Sequence, residues 1–231
     1  MGKRFQELDW ADTDIGVISL RRRLDPVLGA EVHEVKLDDE FLMSSAFTAA
    51  EEELARLGLA AAAGQELDVL VGGLGLGCTA RTALDDERVR SLAVVEGLAP
   101  VIDWHRRELL PLGRELNADP RTRYLHADFF ALVAAEPQQR RHAILLDIDH
   151  SPVNVLDTGH ADFYRPEGLR RLAAHLHPGG VFALWSDDPP AEEFTSALAE
   201  VFARTETHVV DFPNPYGGPP GANTIYVATL A

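Results

Sequence analysis

The chain has 231 residues, enough for one sizeable α/β domain with a small appendage and too few for two full domains. Its 37 acidic residues outnumber 21 lysines and arginines, a formal charge of −16 that argues against a nucleic-acid backbone as partner and suits a small cationic substrate. No apolar run approaches the roughly 20 residues of a membrane span, the start "MGKRFQELDWADTD" has no apolar signal core, and the single cysteine, Cys78, fits a reducing compartment, so a cytoplasmic protein is expected.

The first forty residues differ from the rest. "IGVISLRRRLDP" and "AEVHEVKL" alternate partly with period two and are joined by a turn containing Pro26 and Gly29. They predict an N-terminal β-hairpin subdomain over residues 1–43, ahead of a larger domain over 44–231. In "SSAFTAAEEELARLGLAAAAG", Phe47, Ala50, Leu54 and Leu57 recur at helical spacing. Thr48 and Glu51 fit a Ser/Thr-x-x-Glu capping pattern, with Gly64 as the stop. From Leu67 onward, the strand candidates are "LDVLVG", "SLAVVE", "TRYLHA", "HAILLD", "GVFALW", "ETHVVDF" and "NTIYVATL". Helix-like segments separate the first five, which predicts a doubly wound, mostly parallel, seven-stranded sheet covered on both faces. Only "PNPYGGPPGA" joins the last two, so that pair should be antiparallel. Asp187 or Asp188 is expected to cap the helix "AEEFTSALAEVF".

Ligands of such sheets sit at the carboxyl ends of the strands. There the first core strand runs into Gly72-Gly73-Leu74-Gly75-Leu76-Gly77, where glycine lets a ligand approach the backbone. The dinucleotide pattern G-x-G-x-x-G is not met, since the count from Gly73 ends on Cys78, and no Gly-Lys-Ser/Thr follows. A nucleoside without phosphates is the better match. Glu96 ends the second core strand, 21 residues after Gly75, placed to accept from ribose hydroxyls. Asp128 follows the third, placed to accept from an adenine amino group or to cap the helix "FFALVAA". The fourth leads into "DIDHSPVN" with Asp147, Asp149 and His150, and the fifth ends on Trp185, which can stack on a cation or pack in the core. Asp147, Asp149, His150, Asp157 and His160 crowd one loop, but H-x-x-x-H and paired cysteines are missing, so no metal is expected.

Taken together, "VLVGGLGLG…VVE…LHAD…LLDIDHSP…FYRPEGLRRLAAHLHPGGVFALW" resembles the S-adenosylmethionine-dependent methyltransferase fold, and within it the polyamine aminopropyltransferases, the spermidine synthase family, from about Leu37 to the C-terminus. The resemblance implies a Rossmann-like catalytic domain behind a small β-domain, with S-adenosylmethionine or its decarboxylated form as co-substrate. It further implies that Gly72, Gly73, Gly75 and Gly77 cradle the donor, Glu96 binds ribose, Asp128 binds adenine and Asp147 is the catalytic carboxylate. Asp149, His150 and Trp185 would line the acceptor pocket, and a homodimer follows by family analogy.

The family pattern is not met everywhere. Gly75 stands where that family carries an Asp for the aminopropyl amine, Met43 and Ser44 stand for a Tyr-His pair, and His150 lies near its second Asp. The nucleoside positions are kept while the polyamine positions change. The expectation is therefore a transferase that aminopropylates or methylates a small amine acceptor, with a small-molecule methyltransferase or a non-catalytic nucleoside-binding protein as the alternatives.

Overall fold

Alternation in the N-terminal stretch resolves into more strands than the hairpin the sequence predicts. In the structure, a computed structural model that describes residues 5–148 and 150–231, β1 (Phe5–Thr13), β2 (Gly16–Asp25), β3 (Ala30–Leu37) and β4 (Glu40–Ser44) form an antiparallel sheet in chain order. The predicted hairpin is β2–β3. Its turn is tied by Asp25, whose Oδ1 accepts from the Val27 and Leu28 amides at 2.8 and 3.0 Å. Ile18, Leu20 and Val35 point inward from this sheet and join the core of the larger domain, with Leu42 and Met43 of β4 packed against them. Trp104 fixes the junction from the other side: its buried indole donates through Nε1 to Asp9 Oδ2 at 3.2 Å.

The second sheet is built from β5 (Leu67–Gly72), β6 (Val89–Glu96), β7 (Thr122–His126), β8 (Arg141–Leu146), β9 (Leu176–Ser186), β10 (Arg204–Phe212) and β11 (Gly221–Thr229). Its order is β10-β11-β9-β8-β5-β6-β7, and β11 alone runs against the others. All seven predicted strands are present. The near-continuous apolar runs exist because alternate residues enter two separate cores. Val69, Val71, Leu145 and Ala183 face one side, beneath α1 (Ala49–Ala61), α2 (Cys78–Ala83), α3 (Ala99–Arg106) and α4 (Gly113–Ala118). Leu70, Ile144, Leu146 and Phe182 face the other, beneath α5 (Phe129–Ala134), a 3-10 helix (Thr158–Tyr164), α6 (Pro166–Ala174) and α7 (Glu192–Ala199).

Helix α1 lies across the sheet because Gly58 removes a side chain at the contact: a Cβ there would sit 2.5 Å from Leu145 Cδ2. A mid-helix glycine costs about 1 kcal/mol of helix propensity, offset by this approach. The close approach also brings the first turn of α1 over the carboxyl ends of β5 and β8. No helix among the described residues is long and apolar enough to cross a membrane.

Candidate active site

Sheet order decides where the site lies. The strand order reverses between β5 and β8, the switch point at which sheets of this kind take ligands in the crevice outside the carboxyl ends of their strands. The loop after β5 starts with Gly73, whose amide donates to Val95 O at 2.9 Å. Gly73 and Gly75 take φ of +92° and +49°, the left-handed region that side chains avoid. Met43 from β4 closes over the second: its Sδ would lie 3.4 Å from a Cβ on Gly75. The N-terminal sheet thus puts a thioether at the position where the resembling family carries a carboxylate.

Glu96 is half-buried at the end of β6 and is bound to the glycine loop itself. Its Oε2 accepts from the Leu74 amide at 3.0 Å and its Oε1 from the Leu98 amide at 2.8 Å. Desolvation raises its pKa, while these amides and those of Gly75 and Gly97 oppose the rise. Asp128 caps α5: its Oδ1 accepts from the Phe130 and Ala131 amides at 2.8 and 3.2 Å, and the residue is exposed. Phe130, two residues on, stacks its ring on His160 with centroids 3.7 Å apart. The three strand ends singled out in the sequence are adjacent in space, as β5, β6 and β7 are neighbours.

Asp147 leaves β8 on the opposite wall of the crevice. Its amide donates to Gly72 O at 2.8 Å, which sets the carboxyl beside the start of α2. Thr79 Oγ1 lies 3.2 Å from Asp147 Oδ2 and 3.2 Å from the main-chain oxygen of Glu51, so its one proton serves either. That bridge shows what the sequence concealed. Glu51 does not complete a capping box, for the Thr48 side chain makes no cap bond and its hydroxyl donates to Glu52 Oε1 at 3.2 Å. Glu51 instead shares a desolvated corner with Asp147. Burial raises the pKa of both carboxyls, and the charge of Asp147 raises Glu51 further. Neither has an ion-pair partner among the described residues. The Cys78 thiol beside them is pushed up to about 12, by burial first and then by these two acids, so it stays protonated and is no nucleophile.

Asp149 lies outside the described residues. His150 is exposed, and its carbonyl accepts from the Asp187 amide at 2.7 Å. Neither Asp187 nor Asp188 caps α7, which starts after Ala191 without a side-chain cap. Asp187 Oδ1 accepts from Asn223 Nδ2 at 2.8 Å and Asp188 Oδ2 from Ser151 Oγ at 2.5 Å, so the first acid ties the loop after β9 to β11 and the second ties it to the loop after β8. Trp185 is half-buried against the α1-side core, and its indole Nε1 is enclosed without a hydrogen-bond partner among the described residues. Among the described residues, no three of His, Cys, Asp and Glu gather to hold a metal ion.

Comparison with known proteins agrees with this fold. No protein-family model matches the chain. A polyamine aminopropyltransferase of Prochlorococcus marinus (strain MIT 9313) is 32% identical over 140 residues, 61% of this chain and 47% of the relative, so the match spans about half that protein's length. Spermidine synthase from Thermotoga maritima superposes with a TM-score of 0.76 at 20% identity, covering 98% of this chain and 73% of its own. Human methyltransferase-like protein 13, solved with SAH, superposes with a TM-score of 0.59 at 18% identity over 79% of this chain and 82% of its own. The chain therefore has the methyltransferase-like α/β fold with a separate N-terminal sheet, and it resembles the polyamine aminopropyltransferases in both sequence and shape.

Proposed function

We propose that the chain is a transferase that moves an alkyl group, aminopropyl or methyl, from an S-adenosyl sulfonium to a small amine. The observation that carries this reading is the pairing of two walls across one crevice. One wall is a side-chain-free glycine loop bound to Glu96; the other is the desolvated carboxyl of Asp147 beside Glu51. The loop is suited to the amino-acid or aminopropyl arm of a sulfonium nucleoside. Glu96 and Asp128 are suited to its ribose and adenine, with Trp185 and His150 on the acceptor side.

In this mechanism the acceptor enters as an ammonium, whose ordinary pKa of about 10.4 keeps it protonated at neutral pH. Asp147 takes one proton and leaves a neutral amine. The nitrogen lone pair attacks the carbon on the sulfonium, in line with the bond that breaks. A C–N bond forms, the C–S pair stays on sulfur as a thioether, and the positive charge passes to the product nitrogen. Thr79 orients the Asp147 carboxyl toward the crevice, and Glu51, its pKa pushed up to about 8 by burial and then by Asp147, leaves the negative charge of the corner on Asp147 near neutral pH.

A pH dependence follows. Activity needs Asp147 ionised, and desolvation holds its pKa above the ordinary aspartate value. The acid limb of kcat/KM is expected well above pH 4, about where an unperturbed aspartate titrates. A limb at that ordinary position would remove Asp147 from the role of base.

Gly75 and the overlying Met43 favour a second reading, methyl transfer from intact S-adenosylmethionine, since no carboxylate stands at Gly75 to grip a free aminopropyl ammonium. Parallel calorimetric titrations with S-adenosylmethionine and its decarboxylated form decide between them. Preference for the decarboxylated donor supports aminopropyl transfer, preference for the intact donor supports methyl transfer, and binding of neither overturns the transferase.

A further inference from the structure

Helix α3 carries a histidine that the proposed chemistry does not use. His105 is fully buried, and its Nε2 lies 3.0 Å from the main-chain oxygen of Gly75, at the middle of the glycine loop. A carbonyl oxygen only accepts, so Nε2 carries the proton and Nδ1 holds the lone pair. That Nδ1 is buried with no partner among the described residues, a condition native proteins seldom keep without a compensating contact. A leucine or phenylalanine would fill the space without leaving an orphaned nitrogen. The ring is also fitted to the loop. A Cβ on Gly77 would stand 2.9 Å from His105 Cε1, so the loop passes directly over the imidazole. Asn117 Nδ2 donates to the His105 carbonyl at 2.8 Å, which holds this end of α3 against α4.

We propose that His105 is a positioning residue for the donor loop: as its neutral Nε2–H tautomer it holds the Gly75 carbonyl while Glu96 holds the amides on the other side, and so fixes the loop in the shape that receives a sulfonium nucleoside. This rests on the transferase reading of the same loop. The mechanical argument is that a glycine run left to itself samples many conformations, and freezing them on binding would cost affinity. Glu96 takes the Leu74 amide and His105 the Gly75 carbonyl, so consecutive groups of the loop are tied from β6 and from α3. Burial lowers the His105 pKa, with the Gly75 carbonyl opposing; the titratable group facing the ring is Tyr124 of β7, centroids 6.1 Å apart. The imidazole therefore stays neutral and keeps the donor geometry through the physiological range.

The test pairs two variants with one observation on the intact chain. In His105→Leu the dissociation constant for S-adenosylmethionine and for 5′-methylthioadenosine is expected to rise roughly fivefold to tenfold, the size of one hydrogen bond. The acceptor KM at saturating donor should stay within about twofold. His105→Gln, whose amide can donate to the same carbonyl, should restore nucleoside affinity to within about threefold. Equal nucleoside affinity in the wild type and His105→Leu overturns the inference, as does a His105→Gln no better than Leu. Should both variants unfold, imidazole nitrogen shifts of the wild type decide: an Nε2–H tautomer persisting below pH 6 supports it, and an Nδ1–H tautomer or an ordinary titration refutes it. Wild type that binds no adenosyl compound refutes the transferase reading instead, and the nitrogen shifts then judge the loop clamp alone.

Discussion

Asp147→Asn is expected to lower kcat by about 10²- to 10⁴-fold, the range for removal of a positioned general base, while nucleoside affinity stays within about threefold. The two effects separate because Asp147 reaches the crevice from β8, whereas the groups suited to the nucleoside come from β5, β6 and the start of α5. The amide can still accept from Thr79, so the wall keeps its shape and loses only the capacity to take a proton. Fold stability should not fall, because a desolvated carboxylate is replaced by a neutral group. Rates are best measured with amine panels at several pH values, since the variant should also lose the acid limb assigned to Asp147. Less than tenfold loss would assign proton removal elsewhere. Lost nucleoside binding with residual turnover intact would place Asp147 on the donor instead.

That experiment has a counterpart at Glu51, which shows how much of the site the sequence discloses. The central strands were legible because a parallel strand buried on both faces needs a near-continuous apolar run, and "LDVLVG" and "HAILLD" come close to one. The glycine loop, Glu96 and Asp128 were legible because each sits directly after such a run. The outer strands of the small sheet were not. β1 reads FQELDWADT, largely exposed and acidic, and takes its strand form from pairing with β2 rather than from any apolar pattern. Glu51 was hidden by a plausible local role, since a Thr three residues ahead of a Glu resembles a cap. One signal did point inward. Glu51 shares a helix face with Leu54, Ala55 and Gly58, so an acid stands on the buried stripe of α1. His105 gives the same sign on α3, in line with Val101 and Ile102. A polar residue on an apolar stripe marks either a satisfied core group or a site, and only the third dimension showed Asp147 beside one and Gly75 beside the other. The turn between β9 and α7 failed for a related reason: Asp187 and Asp188 found side-chain partners on β11 and on the loop after β8, 36 and 37 positions away, that no local rule weighs.

Gly73→Ala tests the loop from its first residue and should do more damage than any other single methyl group in the chain. A Cβ on Gly73 would lie 2.0 Å from the main-chain oxygen of Asp147, and φ there is +92°. The strained dihedral costs roughly 1–2 kcal/mol for a residue with a Cβ. The collision is with backbone and cannot be relieved by turning a side chain, so the ends of β5 and β8 must part. Parting them strains two hydrogen bonds at the mouth of the crevice, Asp147 N to Gly72 O at 2.8 Å and Gly73 N to Val95 O at 2.9 Å. Together these put the loss at roughly 3–5 kcal/mol, a fall in Tm of about 10 °C for a domain of this size. Nucleoside binding should disappear even below the new Tm, because the displaced Gly73 carries the loop out of the shape that Glu96 holds through the Leu74 amide. Gly97→Ala is the control: a Cβ there meets nothing within 4 Å and φ is not positive, so Tm should stay within about 1 °C. A Gly73→Ala protein that melts with the wild type and binds the nucleoside normally would mean that the loop and Asp147 do not lie against each other, and the crevice assigned to the donor and the base would have to be drawn elsewhere.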